Sequence, residues 1–574
     1  MNAAPGLARP YGNQEWRTDM KNSGIGRRHF LGAAATGALG APLAKASAEA
    51  AAGASSGSQI QYGEPYELAG KRLFFLNWYY IRPGSFAWRD ENGKTVGLTS
   101  AVPPGAAHFT HVDQPWGIRL VARPAERMGP LLQAEAPWEE DAGVALTTVI
   151  KDGGMFRGWG GPFTVSGDPP GQKHFYNLES SDGLTWKRPK LGIVEVNGSR
   201  ANNVVNIFET DGGTIFVDPS APASERYKLI AEGPFSREIC DAYLRQRPND
   251  WDPKLDRNSS GGATGMKGAA SPDGVHWTMF PEPMVMEVTD TQLTAYYDER
   301  LRKYVAYTRT WAAGPRSSRV DPGKRTWGVG RRSIGRSESV NFREFPLHET
   351  MLEPGPDLQP TDTLYTNGKT TMPGAPDHHL LFPTIWHTAN DATSIGLATS
   401  HDSKLWHFLP GSPVFTTGPF GAFDGGCIFA HPNVVELADG RFVLPYTGYS
   451  VPHKYPRRLW KYAPGYAVWP KGRLVALEAP ERGEFATVGL VPPGRNLRIN
   501  ALTMRGGSLL VEVAGLNGEP LVGRSFAEAR PVIGDHHWTP LVWSGQEDLG
   551  YQNGRAIMLR FRMDQAQIFG LEFA

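Results

Sequence analysis

The chain has 574 residues, with 40% hydrophobic and 20% charged residues and a formal net charge of +1 at pH 7. This length predicts more than one folded unit, and the balanced charge excludes a surface built to attract nucleic acid or an acidic membrane. The 67 Gly and 47 Pro residues indicate the many turns of an all-β chain.

Residues 1–48 are predicted to be an export signal of the twin-arginine type. Arg27-Arg28 precedes a small-residue apolar run over 32–43, and Ala46-Ser47-Ala48 offers a cleavage site. The run is shorter than the roughly 20 apolar residues of a membrane anchor. We therefore expect a periplasmic or secreted protein with a flexible linker over 49–70 and no membrane contact once the signal is removed.

A short box recurs along the next 350 residues. It has an acid four positions before an aromatic residue, and its four copies are Asp182…Trp186, Asp273…Trp277, Glu338…Phe342 and Asp402…Trp406. The acids are 91, 65 and 64 residues apart. A long, nearly constant period with strand-like flanks predicts the blades of a β-propeller.

Counting back from each box locates the strand that opens each unit. The openings lie near 138–140, 202–205, 290–292, 361–365 and 423–426, where polar residues precede apolar runs. Hairpin turns are predicted inside the units, for example at Asp211-Gly212-Gly213. A polar insertion over about 245–263 is expected to be a solvent loop. The sequence thus predicts a five-bladed β-propeller over 71–483, including its N-terminal strands.

The last 90 residues have a different pattern. Short strands such as 508–513 and 556–562 alternate with turn signals and show no helical periodicity. This pattern predicts a C-terminal β-sandwich over 484–574.

The boxes predict fold and not chemistry, because an Asp that accepts backbone N–H bonds, a left-handed Gly and a packed aromatic make a hairpin device. The chemistry is expected at the openings, which converge on the mouth of a propeller. Four of them carry a carboxylate, and the candidate catalytic residues are therefore Glu139, Asp290, Asp362 and Asp424. Paired carboxylates with separated pKa values are what glycosidic bond cleavage requires.

Asp290 is the first candidate, since it enters an inner strand directly, and Asp362 is the second. Other polar and aromatic residues near the openings are candidates for substrate binding, because guanidinium groups and flat rings suit sugars. They are Asp113, Arg157, Trp159, Asn203, Gln292, Tyr365, Trp386 and His431.

No metal or cofactor motif accompanies these residues. Cys240 and Cys427 lack a metal-ligand spacing, and we expect both to be thiols outside any disulfide framework. The sequence predicts no cofactor and no metal. The expected partner is a carbohydrate substrate.

The sequence resembles glycoside hydrolase families 32 and 43 and their five-bladed relatives in its boxes, its acidic strand openings and its β-rich C-terminus. The resemblance covers about 70–574 and implies catalytic acids on the inner strands of successive blades. The invertase-type motifs W-M-N-D-P-N-G, R-D-P and E-C do not occur at a blade opening. The resemblance therefore implies the fold more than a particular sugar.

The interpretation favoured by the sequence is an exported glycoside hydrolase acting on an oligo- or polysaccharide. Two alternatives stay open at this point. One is a carbohydrate-binding propeller without catalysis. The other is a sialidase-like hydrolase, for which Arg157, Arg309 and Arg336 are the candidate arginine cluster.

Overall fold

The chain folds almost entirely into β-strands in the computed structural model, which describes residues 63–98, 101–136, 139, 143–161, 174–290, 292–313, 330–551 and 554–574. These residues contain 35 strands and one α-helix, so the predicted all-β class is confirmed. The predicted signal and most of the predicted linker lie outside them. Within the described part of the chain, no helix has the length and apolarity needed to cross a membrane.

Seven short strands precede the main sheets. They are β1 (Tyr66–Glu67), β2 (Arg72–Leu73), β3 (Ser85–Arg89), β4 (Thr95–Gly97), β5 (His108–Val112), β6 (Arg119–Ala122) and β7 (Glu126–Met128). Strands β3, β4 and β5 form a sheet of their own. The other four add to sheets whose remaining strands come from the second half of the chain.

Three antiparallel sheets then follow in chain order. The first contains β8 (Thr148–Asp152), β9 (Met155–Gly160) and β10 (Tyr176–Ser180). The second contains β11 (Asp211–Val217), β12 (Tyr227–Phe235), β13 (Ala263–Ser271) and β14 (Thr278–Met279). The third contains β15 (Thr294–Asp298), β16 (Lys303–Ala312), β17 (Arg331–Ser339) and β18 (Glu349–Leu352). Each is a meander in which neighbours in sequence pair in space.

The fourth group consists of two adjoining four-stranded sheets. One contains β19 (Asp362–Thr366), β22 (Thr384–His387), β23 (Ala392–Ile395) and β26 (Phe415–Thr416). The other contains β20 (Thr370–Met372), β21 (Ala375–Leu381), β24 (Ala398–Ser400) and β25 (His407–Phe408). The fifth sheet contains β27 (Cys427–Ala430), β28 (Val435–Glu436), β29 (Phe442–Tyr449) and β30 (Tyr462–Trp469), and β7 pairs with β30.

Hydrophobic clusters fill the seams between successive groups. Trp159 of the first sheet packs with Leu229 of the second, Ile230 of the second sheet shares a cluster with Phe342 after the third, and Tyr307 of the third shares one with Leu364 of the fourth. Further clusters join the fourth group to the fifth sheet and the fifth back to the first. The packing is therefore cyclic, which leaves the first strand of each group next to a common centre.

The last strands form a sheet together with part of the N-terminal segment. They are β31 (Val475–Ala486), β32 (Leu490–Val491), β33 (Leu497–Gly515), β34 (Asp535–Pro540) and β35 (Ile557–Phe573), joined by β1, β2 and β6. The pairings of β33 and β31 with β35 shift register near 503–508 and 479–482, where the long strands change course. The predicted boundary at 483/484 falls inside β31.

The three Asp boxes form the predicted hairpin device. Asp182 Oδ1 accepts the N–H groups of Leu184 and Thr185 at 2.8 and 2.7 Å, and these bonds lower the pKa of Asp182 below its usual range. The Gly or Ser after each Asp has a positive φ, and its carbonyl accepts an N–H or O–H from a ring in the neighbouring group. Trp159 Nε1, for example, donates to the Gly274 oxygen at 2.8 Å.

The Glu338…Phe342 copy of the box is built differently from the three Asp boxes. Glu338 forms ion pairs with Arg336 and Lys303 instead of capping backbone groups.

The insertion that was predicted to be a solvent loop also differs from the prediction. The insertion in the second sheet begins as helix α1 (Arg237–Gln246), whose Ser236 N-cap accepts the Ile239 N–H. The sequence prediction missed this helix, which precedes the polar run and packs Cys240 and Tyr243 against Phe235.

Candidate active site

All five groups contribute to one cavity of about 310 Å³, here called the central cavity. Its wall includes one residue from within or shortly before the first strand of each group, namely Thr147, Asp211, Asp290, Thr366 and Ala430. The first strands of the groups therefore meet at this cavity, but the residues that reach it are in part not those of the predicted openings. The acids that line the cavity also differ from the prediction.

Asp290 lines the central cavity, as the sequence predicted. Its φ of +61° lies in the left-handed region, which Asp adopts more readily than most residues other than glycine. Its side chain is 46% exposed and forms an ion pair with Arg309, whose own side chain is only 1% exposed. Arg309 is fixed in turn, because its Nη2 donates to the Tyr365 carbonyl at 2.8 Å.

Glu232 is the acid that the sequence interpretation missed. It lies on β12 directly opposite Asp211, which lines the cavity, and its carboxyl accepts the backbone N–H of Asp290. Burial, reinforced by the negative charges of Asp290 and Asp211, raises the pKa of Glu232 to about 8. This carboxyl is therefore protonated at neutral pH and can donate a proton.

Sequence reasoning misassigned the strand that leads to Glu232. Residues 202–205 were predicted to open the second group, and Asp211-Gly212-Gly213 to be a turn. Instead, β11 begins at Asp211. Asn203 is buried before that strand, and its Nδ2 donates to the Asn177 carbonyl of β10 at 2.8 Å. The sequence signal for Glu232 was an acid immediately after the apolar run 229–231. This signal does not by itself distinguish a residue near a cavity from one on the surface.

Gln292 and His431 form a buried polar part of the wall. Gln292 Oε1 accepts the Gly368 N–H at 3.0 Å, and its Nε2 lies 3.3 Å from His431 Nδ1. An amide nitrogen can only donate, so Nδ1 accepts and His431 Nε2 donates to Thr447 Oγ1 at 2.7 Å. Burial lowers the pKa of His431 to about 3, which makes it a neutral, fixed group.

Tyr365 and Trp386 were both predicted to bind substrate, and Tyr365 lines the central cavity. Trp386 lies behind it, with the two ring centroids 5.8 Å apart in an edge-to-face arrangement. The guanidinium carbon of Arg332 stands 5.2 Å from the centroid of each ring. Arg332 is a lining residue that the sequence interpretation did not select.

The other three candidate acids are buried in ion pairs or hydrogen bonds outside the lining of the central cavity. Glu139 pairs with Arg188 at 2.6 Å, and its carboxyl also accepts the N–H groups of Glu135 and Ala136. Asp362 accepts His387 Nδ1 at 2.9 Å and the Gln359 N–H at 3.1 Å. The expectation that these acids share the mouth with Asp290 is corrected, because their lone pairs are used to hold loops and strand ends.

Asp424 is the third of these acids, and its side chain has no exposed surface. Its Oδ2 accepts Arg127 Nε at 2.6 Å and the Tyr446 hydroxyl at 2.8 Å. Burial and this carboxylate raise the pKa of Tyr446 above its usual range. Asp424 therefore ties β7 to the fifth sheet instead of facing the cavity.

Asp113, Arg157 and Trp159 also lie outside the lining. Asp113 forms a 2.7 Å ion pair with Arg560 in a separate cavity of about 330 Å³ beside the C-terminal sheet. Arg157 donates to the Asp273 carbonyl, and Trp159 donates to the Gly274 carbonyl, so both hold the second box. Their predicted substrate contacts are corrected to structural contacts between groups.

The arginine cluster proposed for a sialidase-like site does not assemble from its predicted members. Arg309 reaches Asp290, but Arg157 is bound to the second box and Arg336 to Glu338 and Ser403.

Cys240 and Cys427 occupy different clusters and are thiols, as predicted. In the residues that the structure describes, no group of three His, Cys, Asp or Glu side chains could hold a metal ion.

Comparison with solved structures gives likenesses at low identity. The chain is similar to a beta-1,2-mannobiose phosphorylase from Listeria innocua, with a TM-score of 0.37, 11% identity, and 61% of this chain and 97% of that chain covered. It is similar to a glycoside hydrolase family 43 arabinoxylan arabinofuranohydrolase from Bacillus subtilis, with a TM-score of 0.33, 11% identity and coverages of 76% and 97%. A third likeness is to an N-acetylgalactosamine deacetylase from F. plautii, with a TM-score of 0.36, 12% identity and coverages of 61% and 96%.

No family model matches the chain, and no curated protein matches it. The proteins in these three structures are named for different reactions. With TM-scores below 0.5 they assign neither a reaction nor a catalytic residue to this chain, whose chemistry has to be argued from the central cavity.

Proposed function

We propose that this protein is a glycoside hydrolase in which Glu232 is the proton donor and Asp290 is the ionised carboxylate. The observation that carries the proposal is the juxtaposition of these two carboxyl groups, because Asp290 lines the central cavity and Glu232 accepts the backbone N–H of Asp290. Glu232 lies largely buried next to two acids, and burial is the main reason for its raised pKa. Asp290 is half-exposed and faces the guanidinium of Arg309.

This division matches the two tasks of glycosidic bond cleavage. A protonated carboxyl has to deliver a proton to the leaving oxygen, and an ionised carboxylate has to activate water or attack the sugar carbon. In this proposal Asp290 is the carboxylate, and the guanidinium of Arg309 is its ion-pair partner. After the leaving group departs, Glu232 is left ionised and can regain its proton from the incoming water.

The same proposal includes the finer architecture. We propose that the five groups are the blades of a five-bladed β-propeller and that the C-terminal strands form a β-sandwich. Cyclic packing of the clusters and the contribution of every group to the central cavity support the blade count. The register shifts in β31, β33 and β35 support a sheet that folds over on itself.

The cavity volume of about 310 Å³ is at the small end of ligand pockets. We therefore propose cleavage of a terminal residue or a short oligosaccharide. Tyr365 supplies an aromatic wall, and Gln292 supplies amide groups at the same cavity.

The test is a hydrolysis screen on a glycan panel with wild type, Glu232→Gln and Asp290→Asn. Each variant should lose at least about 10³-fold in kcat, since each removes one catalytic group. Glu232→Gln should recover most with an aryl glycoside whose leaving group needs no proton. Asp402→Asn, in a hairpin box, is the matched control and should retain activity below its unfolding temperature.

Two results would contradict the proposal. The first is unchanged hydrolysis in both variants. The second is sugar binding by the wild type with no turnover on any member of the panel, which would favour the carbohydrate-binding alternative.

A further inference from the structure

Arg332 differs from the other guanidinium groups around the central cavity. It lines the cavity, its Nε is enclosed by protein, and that atom has no hydrogen-bond partner among the described residues. The described part of the chain also supplies no ion pair to it, whereas Arg309 is bound to Asp290 and to the Tyr365 carbonyl. A buried donor atom without a hydrogen-bond partner costs folding free energy, and proteins seldom keep one without a use for it.

The aromatic rings of Tyr365 and Trp386 stand beside the guanidinium of Arg332, each with its centroid 5.2 Å from the central carbon. Burial, followed by the charge of Arg309, lowers the pKa of Arg332 below its usual value. An anion that enters the cavity would supply the missing partner.

We propose that the substrate carries a carboxylate on the sugar bound in the central cavity, as a uronic acid residue does, and that Arg332 binds it. A planar guanidinium donates two parallel hydrogen bonds to a carboxylate, which is a geometry that a neutral hydroxymethyl group cannot accept. The inference rests on the proposed function, and it adds the class of sugar to it.

The experiment compares pairs of glycosides that differ only at this group, a glucuronide against the matching glucoside and a galacturonide against the matching galactoside. For wild type, kcat/KM should be about 10- to 150-fold higher for the acidic member of the preferred pair, which is the range expected for a hydrogen bond between charged groups. Arg332→Gln should bring this ratio close to 1, and Arg332→Lys should leave it in between. Arg343→Gln, an exposed arginine paired with Glu225, is the control and should keep the wild-type ratio.

The arms of the experiment separate the two proposals. The enzyme could hydrolyse neutral glycosides as well as acidic ones, in a reaction that depends on Glu232 and Asp290. That result would refute the proposed uronate substrate and support the proposed hydrolase. Arg332-dependent binding of a uronate oligosaccharide in calorimetry, with no turnover of any glycoside, would support the uronate and overturn the hydrolase. If inorganic sulfate and methyl glucuronate inhibit hydrolysis equally well, Arg332 binds any small anion, and the proposed preference for a sugar carboxylate is wrong.

Folding of the variants is checked separately. Circular dichroism and the thermal midpoint should match wild type for Arg332→Gln, since no hydrogen bond of this side chain holds the fold. A variant that is folded and keeps the wild-type ratio would overturn the role of Arg332.

Discussion

Glu232→Gln tests the proposed proton donor without a substrate. The folded-state pKa of about 8 exceeds the ordinary value of 4.5, so the folded protein holds a proton that the unfolded chain releases. Stability from this source is fully present below pH 4.5 and is lost as the pH rises through 8. The difference of about 3.5 pH units corresponds to about 5 kcal/mol at 1.36 kcal/mol per unit. Glutamine cannot titrate, so the variant lacks this loss while keeping an acceptor for the Asp290 N–H.

Thermal unfolding between pH 5 and pH 9 measures the effect. An unfolding entropy of about 2.1 cal/mol/K per residue gives about 1 kcal/mol/K for a unit of about 500 residues. About 4 of the 5 kcal/mol is lost between pH 5 and pH 9, because pH 5 already lies above 4.5. The wild-type midpoint should therefore fall by about 4 °C more than that of Glu232→Gln over this range. Glu484→Gln, a half-exposed carboxyl paired with Arg562, should behave like wild type. If Glu232→Gln and wild type show the same pH dependence, Glu232 is ionised at neutral pH and cannot be the proton donor.

Three further outcomes are expected. Asp424→Asn should lower the free energy of unfolding by about 1–3 kcal/mol in urea titrations, because Arg127 loses a buried charged acceptor, and full stability would contradict this role. Trp159→Phe should cost about 1–3 kcal/mol by the same measurement, since the Gly274 carbonyl loses its donor and a smaller ring leaves space. His431→Gln should reduce the loss of stability as the pH falls from 6.5 towards 3, because the unfolded imidazole takes up a proton that the buried one refuses; an unchanged acid midpoint in near-ultraviolet circular dichroism would refute this.

The box was sufficient to predict the repeating hairpins, because its contacts are local. Asp182 bonds to residues two and three positions away, and this geometry is encoded in seven residues. The same short range explains why Asp290 could be found by counting back from a box. Strands β1, β2, β6 and β7 could not be assigned to sheets from the sequence, because their partner strands are hundreds of residues distant.

The sequence at the strand openings could not show whether an acid is buried or which groups it contacts. Asp290 and Asp362 both precede inner strands, yet one faces the cavity and the other accepts His387 and the Gln359 N–H. Glu232 depends on a strand register that places it opposite Asp211, and one-residue errors in register reverse the face of a side chain. The acid with the most useful environment was therefore the one that sequence patterns could not single out.

The partnership of the earliest and latest strands has a consequence for biosynthesis. Arg72 of β2 and Glu572 of β35 bond at 2.8 Å across 500 residues. Closing a loop of that length costs about 5–6 kcal/mol by the logarithmic law. During translation, β1, β2 and β6 must wait with open edges until the C-terminal strands leave the ribosome, and open edges recruit other chains. A premature stop near residue 484 should consequently yield an aggregating fragment in which the five groups of sheets are already folded, instead of a soluble shorter protein.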